Sequence, residues 1–185
     1  ALWYNALKTL ENLATIFNEP QLAEECNKMA KKHKTTFNKK FYNEKKKSLF
    51  DVLGDGKIRP NQLFSLSVTY PVIDPNSDTG KTIFETVKEK LLTKYGLKSL
   101  AKGEKNYIAI YEGDPFKRDS SYHQGITWVW LLGVYADSFK NKIKFEKNEK
   151  EKAKLQEEYE KFREGTIKTF KKAVYEDAAI GTISE

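Results

Sequence analysis

Residues 2–37, LWYNALKTLENLATIFNEPQLAEECNKMAKKHKTTF, decide the fold of this chain. Trp3, Ala6, Leu7, Leu10, Leu13, Ala14 and Phe17 recur at intervals of three and four, the spacing of one helical face. Asn18 can cap a second helix, with Pro20 in its first turn, where a missing N–H costs nothing. Leu22, Cys26, Met29, Ala30, His33 and Phe37 then mark the second buried face. So short a break predicts an antiparallel helical hairpin. His33 lies on the apolar stripe with no acid or cysteine at ligand spacing, so it reads as packing and no metal is expected.

Outward from this hairpin the pattern stays helical. Ser48-Leu49-Phe50-Asp51-Val52-Leu53 reads as a short strand in a connection, and Gly54-Asp55-Gly56 as a turn. Short helical periodicity runs from Pro60 to Tyr70. Asp74-Pro75 opens a helix bearing Ile83, Phe84, Val87, Leu91 and Tyr95 that stops at Gly96. Between Gly96 and Tyr122 there is little periodicity, and a loop of that length in a compact domain is usually functional. A helix is expected from about His123 to Ile143, with Trp128, Leu131, Leu132, Tyr135 and Phe139 facing in. After a lysine-rich stretch, Lys144–Glu149, a last long helix carries Leu155, Tyr159, Phe162, Phe170 and Val174. About six helices and no convincing sheet predict an all-α assembly of hairpins.

The chain's 185 residues, 39% of them hydrophobic, suit one domain with a real core. No apolar run approaches the roughly 18 residues of a membrane span, and the N-terminus lacks a signal-peptide pattern. One cysteine, Cys26, cannot form an internal disulfide; a buried thiol in a reducing, cytoplasmic setting fits. The net charge of +7 raises a nucleic-acid partner, but only three of the 33 basic residues are arginines, and the lysines are interleaved with 26 acids. That mixture is a solvated helix face, and base readout leans on arginine's planar fork. Neither nucleic acid nor membrane is expected as a partner.

Two of those arginines sit in segments that helix packing does not explain. One is Arg59-Pro60-Asn61-Gln62-Leu63-Phe64. The other runs from Tyr111-Glu112-Gly113-Asp114 to Tyr122-His123-Gln124-Gly125-Ile126-Thr127-Trp128 and includes Arg118 and Asp119. Aromatic planes beside fixed hydrogen-bonding groups suit a sugar, whose C–H faces stack while its hydroxyls are satisfied. Arg59 can pair with Asp51 or Asp55, or reach a sugar together with Asn61 and Gln62. Glu112, Asp114, Arg118 and Asp119 form either a surface ion cluster or a site. Arg118 can orient a carboxylate or hydroxyl pair, and Glu112 or Asp119 is the acid that the residues alone suggest. Gly125 permits close approach of a ligand to the backbone, and Trp128 offers a stacking plane. Trp3 and Tyr4 are adjacent aromatics that cannot both face one core, with Asn5 following.

Taken in order, these stretches resemble the glucosidase domain of glycogen debranching enzymes. They are Ala1-Leu2-Trp3-Tyr4-Asn5-Ala6-Leu7, Ile58-Arg59-Pro60-Asn61-Gln62-Leu63-Phe64, Leu97-Lys98-Ser99-Leu100, the Tyr111–Trp128 segment and Gly181-Thr182-Ile183-Ser184-Glu185. The resemblance runs nearly end to end. It implies an α/α toroid of six helical hairpins, with this chain as about half of it: a single domain over 1–185 truncated at both ends. The implied reaction is inverting hydrolysis of α-1,6-linked glucose at glycogen branch points, without a cofactor. Inversion needs two carboxyl groups roughly 6.5–9.5 Å apart, with the nucleophilic water between one of them and the sugar.

The resemblance places the general base at Glu185 and the general acid on an aspartate ahead of the tryptophan motif, before Ala1. The isolated chain is therefore expected to be inactive. It also implies substrate contacts from Trp3, Tyr4, Asn5, Arg59, Asn61, Gln62, Glu112, Asp114, Arg118, Asp119, Tyr122, His123, Gln124 and Trp128. Val129 stands where the family often has proline, which bears on a helix start. Implied partners are glycogen or another branched α-glucan, and the remainder of the toroid or a second copy of the fragment. A non-catalytic glucan-binding module is the rival reading. A sugar epimerase or isomerase on the same scaffold is another, but only two histidines are available to it.

Overall fold

The computed structural model describes residues 1–177 and is mostly helical, with a few two- and three-residue strands. Helix α1, Leu2–Ile16, and α2, Pro20–Phe41, form the expected hairpin. Its antiparallel sense shows in the cross-contacts: Tyr4 stacks on His33, and Asn27 Nδ2 donates to Glu11 Oε1 at 2.9 Å. Asn18 does not cap α2. It takes a left-handed conformation, φ 59°, that stops α1, while Glu19 N donates back to the Ala14 carbonyl. Asparagine tolerates that region better than most residues, and Pro20 then begins α2 with Glu19 as its N-cap.

The hairpin's apolar stripe is wider than its seam. Leu7, Ala14, Cys26, Ala30 and Phe37 are buried, but Trp3, Leu10, Leu13, Phe17, Leu22 and Met29, all assigned inward by periodicity, are exposed. Leu2 and Ile16 are exposed beside them. Periodicity reports how many faces are apolar, not how many neighbours cover them.

After α2 the chain makes a two-strand ribbon, β1 (Tyr42–Asn43) against β2 (Ser48–Leu49). A tight 3-10 turn over Pro60–Leu63 runs into one helical turn, α3 (Phe64–Ser67), shorter than the helix expected to Tyr70. Asn141 ends α3, donating to the Leu66 and Val68 carbonyls at 2.7 and 2.9 Å. Helix α4 (Asp78–Lys90) starts later than Asp74-Pro75 because Ser77 supplies the cap, its hydroxyl accepting from Gly80 N. Asp74 instead accepts from Asn76 N in the turn before it.

A three-stranded antiparallel sheet replaces both the end of the α4 pattern and the start of the next expected helix. Strands β3 (Leu92–Thr93), β4 (Gly96–Lys98) and β5 (Thr127–Trp128) lie side by side in that order. Between them, α5 (Pro115–Ser121) interrupts the long loop. Helix α6 (Leu131–Phe145) therefore begins eight residues after His123, because Gly125, at φ 145°, and β5 occupy the intervening chain. Helix α7 (Glu149–Tyr175) closes the described fold, capped by Asn148.

The core joins these pieces around aromatic pairs. Phe84 of α4 stacks on Tyr135 of α6 at 4.8 Å, Phe139 meets Phe84 edge-on, and Phe162 of α7 meets Tyr135 at 5.0 Å. Leu63, Leu66, Ile83, Val87, Leu91 and Leu97 fill the space between them with essentially no exposure. Each such side chain contributes about 1.5–3 kcal/mol on burial. This core holds the Pro60–Ser67 segment and the small sheet in fixed relation, and the functional residues ride on those two elements. No helix among the described residues is long and apolar enough to cross a membrane.

Candidate functional site

Arg59 is the organising residue of the candidate site. It precedes Pro60 in extended conformation, φ −125° and ψ 158°, which a residue before proline favours. Its Nη1 donates to the Ser99 carbonyl at 3.0 Å and to the His123 carbonyl at 2.5 Å, and Nη2 reaches Gln124 Oε1 at 3.3 Å. Nε stands 3.6 Å from Asp51 Oδ2. Asn61 Nδ2 donates to the other oxygen of the same carboxylate at 2.8 Å. One guanidinium thus ties four chain segments together, a use of its fixed fork that lysine could not repeat.

Around this knot lies an open hollow of about 400 Å³. Asp51, Arg59, Asn61, His123, Trp128 and Trp130 line it, with Asp55, Pro60, Ser99 and Leu131. The Lys57 ammonium and backbone N–H beside it hold the Asp55 carboxyl below its ordinary range. Trp128 is fixed from two sides: its Nε1 donates to the Tyr122 carbonyl at 3.3 Å, and the Tyr122 ring meets it edge-on at 4.6 Å. His123 stacks against Trp128 at 6.0 Å with planes 15° apart. Trp130, 59% exposed, presents a largely free indole. Glycine at 96 is required for this packing, since a Cβ there would collide with the Trp128 carbonyl.

A smaller hollow of about 220 Å³ lies across the Asp51–Asn61 pair, lined also by His33, Phe37, Phe50 and Gln62. His33 stacks between Tyr4 and Phe37, its Nε2 is buried with no partner, and burial lowers its pKa.

The structure brings together Arg59, Asn61, His123 and Trp128, with Tyr122 and Gln124 directly behind them. Other sequence candidates are engaged by the protein itself. Tyr4 is buried against His33, and Asn5 Oδ1 accepts from Tyr70 N at 3.0 Å. Gln62 bridges Leu49 N and the Arg59 carbonyl. Trp3 lies exposed on α1 and is in neither lining. The acidic run is placed around α5: Asp114 caps it through Lys117 N, and Arg118 donates to the Gly113 carbonyl at 2.8 Å. Asp119, Arg118, Tyr111 and Tyr122 line a shallow recess of about 230 Å³, and Glu112 is exposed beside it. Glu185, assigned as the base, lies outside the described residues.

Sequence reasoning gave Asp51 and Asp55 only as partners of Arg59 and did not single out Trp130 or Ser99. Trp130 was legible as the second tryptophan after Gly125. Ser99 was not, because it acts through its carbonyl and through an Oγ that accepts from Gly125 N.

Among the described residues no group of three or more His, Cys, Asp or Glu is placed to hold a metal ion. A mostly helical domain presenting tryptophans, a pinned arginine and carboxylates around one open hollow has the features of a carbohydrate-handling protein. The family model for amylo-alpha-1,6-glucosidase matches residues 1–185, and the chain belongs to that family. No curated protein matches it.

Proposed function

We propose that this chain is the glycosidase portion of a glycogen-debranching enzyme, hydrolysing α-1,6-linked glucose with inversion, and that the Arg59 hollow receives the glucosyl unit. The carrying observation is the convergence of Trp128, Trp130, Arg59, Asn61 and Asp51 on that hollow in a chain matched by this family along its whole length. Its volume of about 400 Å³ is of the order of small-ligand sites.

The chemistry divides among these groups. The indole of Trp130 offers a plane for the apolar face of a pyranose ring. Asp51 has one oxygen held by Asn61 and the other facing Arg59, so it serves to orient sugar hydroxyls rather than to move a proton. His123 at the rim adds a nitrogen for a further hydroxyl. Proton transfer then belongs to the carboxyl pair of the family pattern: Glu185 deprotonates the attacking water, and an aspartate ahead of the tryptophan motif protonates the departing oxygen. The helical hairpins contribute to an α/α toroid, and the apolar outer face of α1 and α2 packs against further hairpins of that ring.

Proton NMR during digestion of a branched limit dextrin by the intact polypeptide tests this. The first glucose released is the β-anomer, and Glu185→Gln abolishes its release. Release of the α-anomer, or full activity of the variant, contradicts the proposal.

A further inference from the structure

Glu104 lies outside the hollow yet grips the chain that carries its central residue. It sits in the turn after β4 with 14% of its side chain exposed, and it is not among the residues that line the hollow. Its Oε1 accepts from the backbone N–H of Ile58 at 3.2 Å, across 46 residues of chain. Both carboxylate oxygens accept from Lys46 Nζ at 2.7 Å. Lys46 belongs to the turn between β1 and β2, which Asn43 Oδ1 shapes by accepting from the N–H groups of Lys45 and Lys46.

Ile58 is held through its other backbone group as well. Its carbonyl accepts from Ala101 N at 3.0 Å, and Glu104 N closes the same turn on the Ala101 carbonyl at 3.2 Å. Ile58 is itself buried, and Arg59 follows it directly. The segment that fixes Ile58 also supplies, at Ser99, one of the carbonyls that receive the Arg59 guanidinium. The root of the arginine arm and its landing point are thus referenced to one short stretch of chain. Removing the Glu104 carboxylate leaves the Ile58 N–H buried without an acceptor and lets the arm shift against Ser99. A displacement on the order of 1 Å at an orienting group is enough to spoil its alignment with a ligand.

We infer that Glu104 is a positioning residue for the Arg59 hollow, setting the guanidinium through the backbone of Ile58 and not through contact with sugar. Its consequence for sugar binding rests on the proposed function; its placement of Arg59 does not.

Two readouts on the full chain keep these apart: the Arg59 Nε–H resonance in proton–nitrogen correlation spectra, and calorimetric titration with isomaltose. Glu104→Ala moves the resonance and weakens isomaltose binding at least about fivefold. Glu104→Gln keeps an oxygen for Ile58 N and returns both readouts close to the parent. Lys46→Met removes an ion pair whose lysine is 40% exposed, a contact that contributes little, and leaves both readouts unchanged. If Glu104→Ala does not fold, Glu104→Asp, too short to reach Ile58 N and Lys46 together, shows the same two changes. A resonance left in place by either variant, with only a lower melting temperature, overturns the inference and makes Glu104 a structural brace. A moved resonance with isomaltose affinity unaltered overturns it too. So does a Lys46→Met variant that matches Glu104→Ala, since the effect then belongs to the ion pair. A moved resonance where the parent chain binds no isomaltose keeps the placement of Arg59 by Glu104 and removes the hollow as the glucosyl site.

Discussion

The Arg59 guanidinium and the Asp51 carboxylate stand 3.6 Å apart with 14% and 17% of their side chains exposed, and both line the hollow. Neither is free to swing, because Asn61 holds the carboxylate and two backbone carbonyls hold the guanidinium. A pair fixed in this way can present oxygen and nitrogen atoms to a ligand without first losing conformational entropy.

Arg59→Lys removes the fork that reaches the Ser99 and His123 carbonyls together. Charged hydrogen bonds of this kind contribute about 1.5–3 kcal/mol each, with partial compensation by water because the guanidinium keeps some exposure. Urea unfolding is expected to show a loss of about 2 kcal/mol, and loss of sugar affinity accompanies it. Unchanged stability would mean that the two carbonyls are as well served by solvent.

Gly96→Ala forces a methyl group onto the Trp128 carbonyl. Backbone cannot yield as a side-chain tip does, so the cost is of the order of the 1–3 kcal/mol of an overpacked core. Trp128 shifts with β5. The variant therefore loses both melting temperature and isomaltose affinity, and a crystal structure shows the indole displaced from Tyr122.

Asn141→Leu keeps the size of a buried side chain but strips two donors from the Leu66 and Val68 carbonyls. Leaving buried acceptors unsatisfied costs about 1–3 kcal/mol. The loss appears in thermal unfolding. Because α3 continues directly from the Arg59–Leu63 segment, sugar binding weakens as well.

The helical framework was legible where one period governed a long segment: α1, α2 and α7 follow their apolar spacing closely. The small sheet was not. Thr127–Trp128 pairs with Leu97–Lys98 across some thirty residues, and nothing local in a two-residue strand announces its partner. Trp128 was assigned to a helix for that reason, although its place beside Tyr122 and Arg59 was anticipated. Seven apolar positions over residues 2–17 were placed on one stripe, Trp3 among them also as a sugar contact, whereas only Leu7 and Ala14 of them are buried. Amphipathic spacing cannot distinguish a covered stripe from an uncovered one. Gln62 and Asn5 illustrate a different limit, since a side-chain amide that will bond a neighbouring backbone reads like one that will bond a ligand.

His33 gives a pH dependence. Burial lowers its pKa below the ordinary 6.5. The folded state thus prefers the neutral ring. Above the unfolded value this makes no difference, and stability declines as pH falls from about 6.5 toward the lowered folded pKa. His33→Leu removes the titration and the unpartnered Nε2 together. Its melting temperature at pH 5 is expected to drop less, relative to pH 7.5, than that of the parent. Parallel curves for the two proteins would contradict the assignment.

The central claim is that the hollow around Arg59 and Asp51 binds an α-1,6-linked glucosyl unit. Calorimetric titration of isomaltose into the 185-residue chain, compared with Asp51→Asn and Trp130→Ala, tests it most directly. The account predicts saturable binding that each substitution weakens at least about tenfold. Saturable binding that neither substitution alters, or none at all in the folded parent chain, would contradict it.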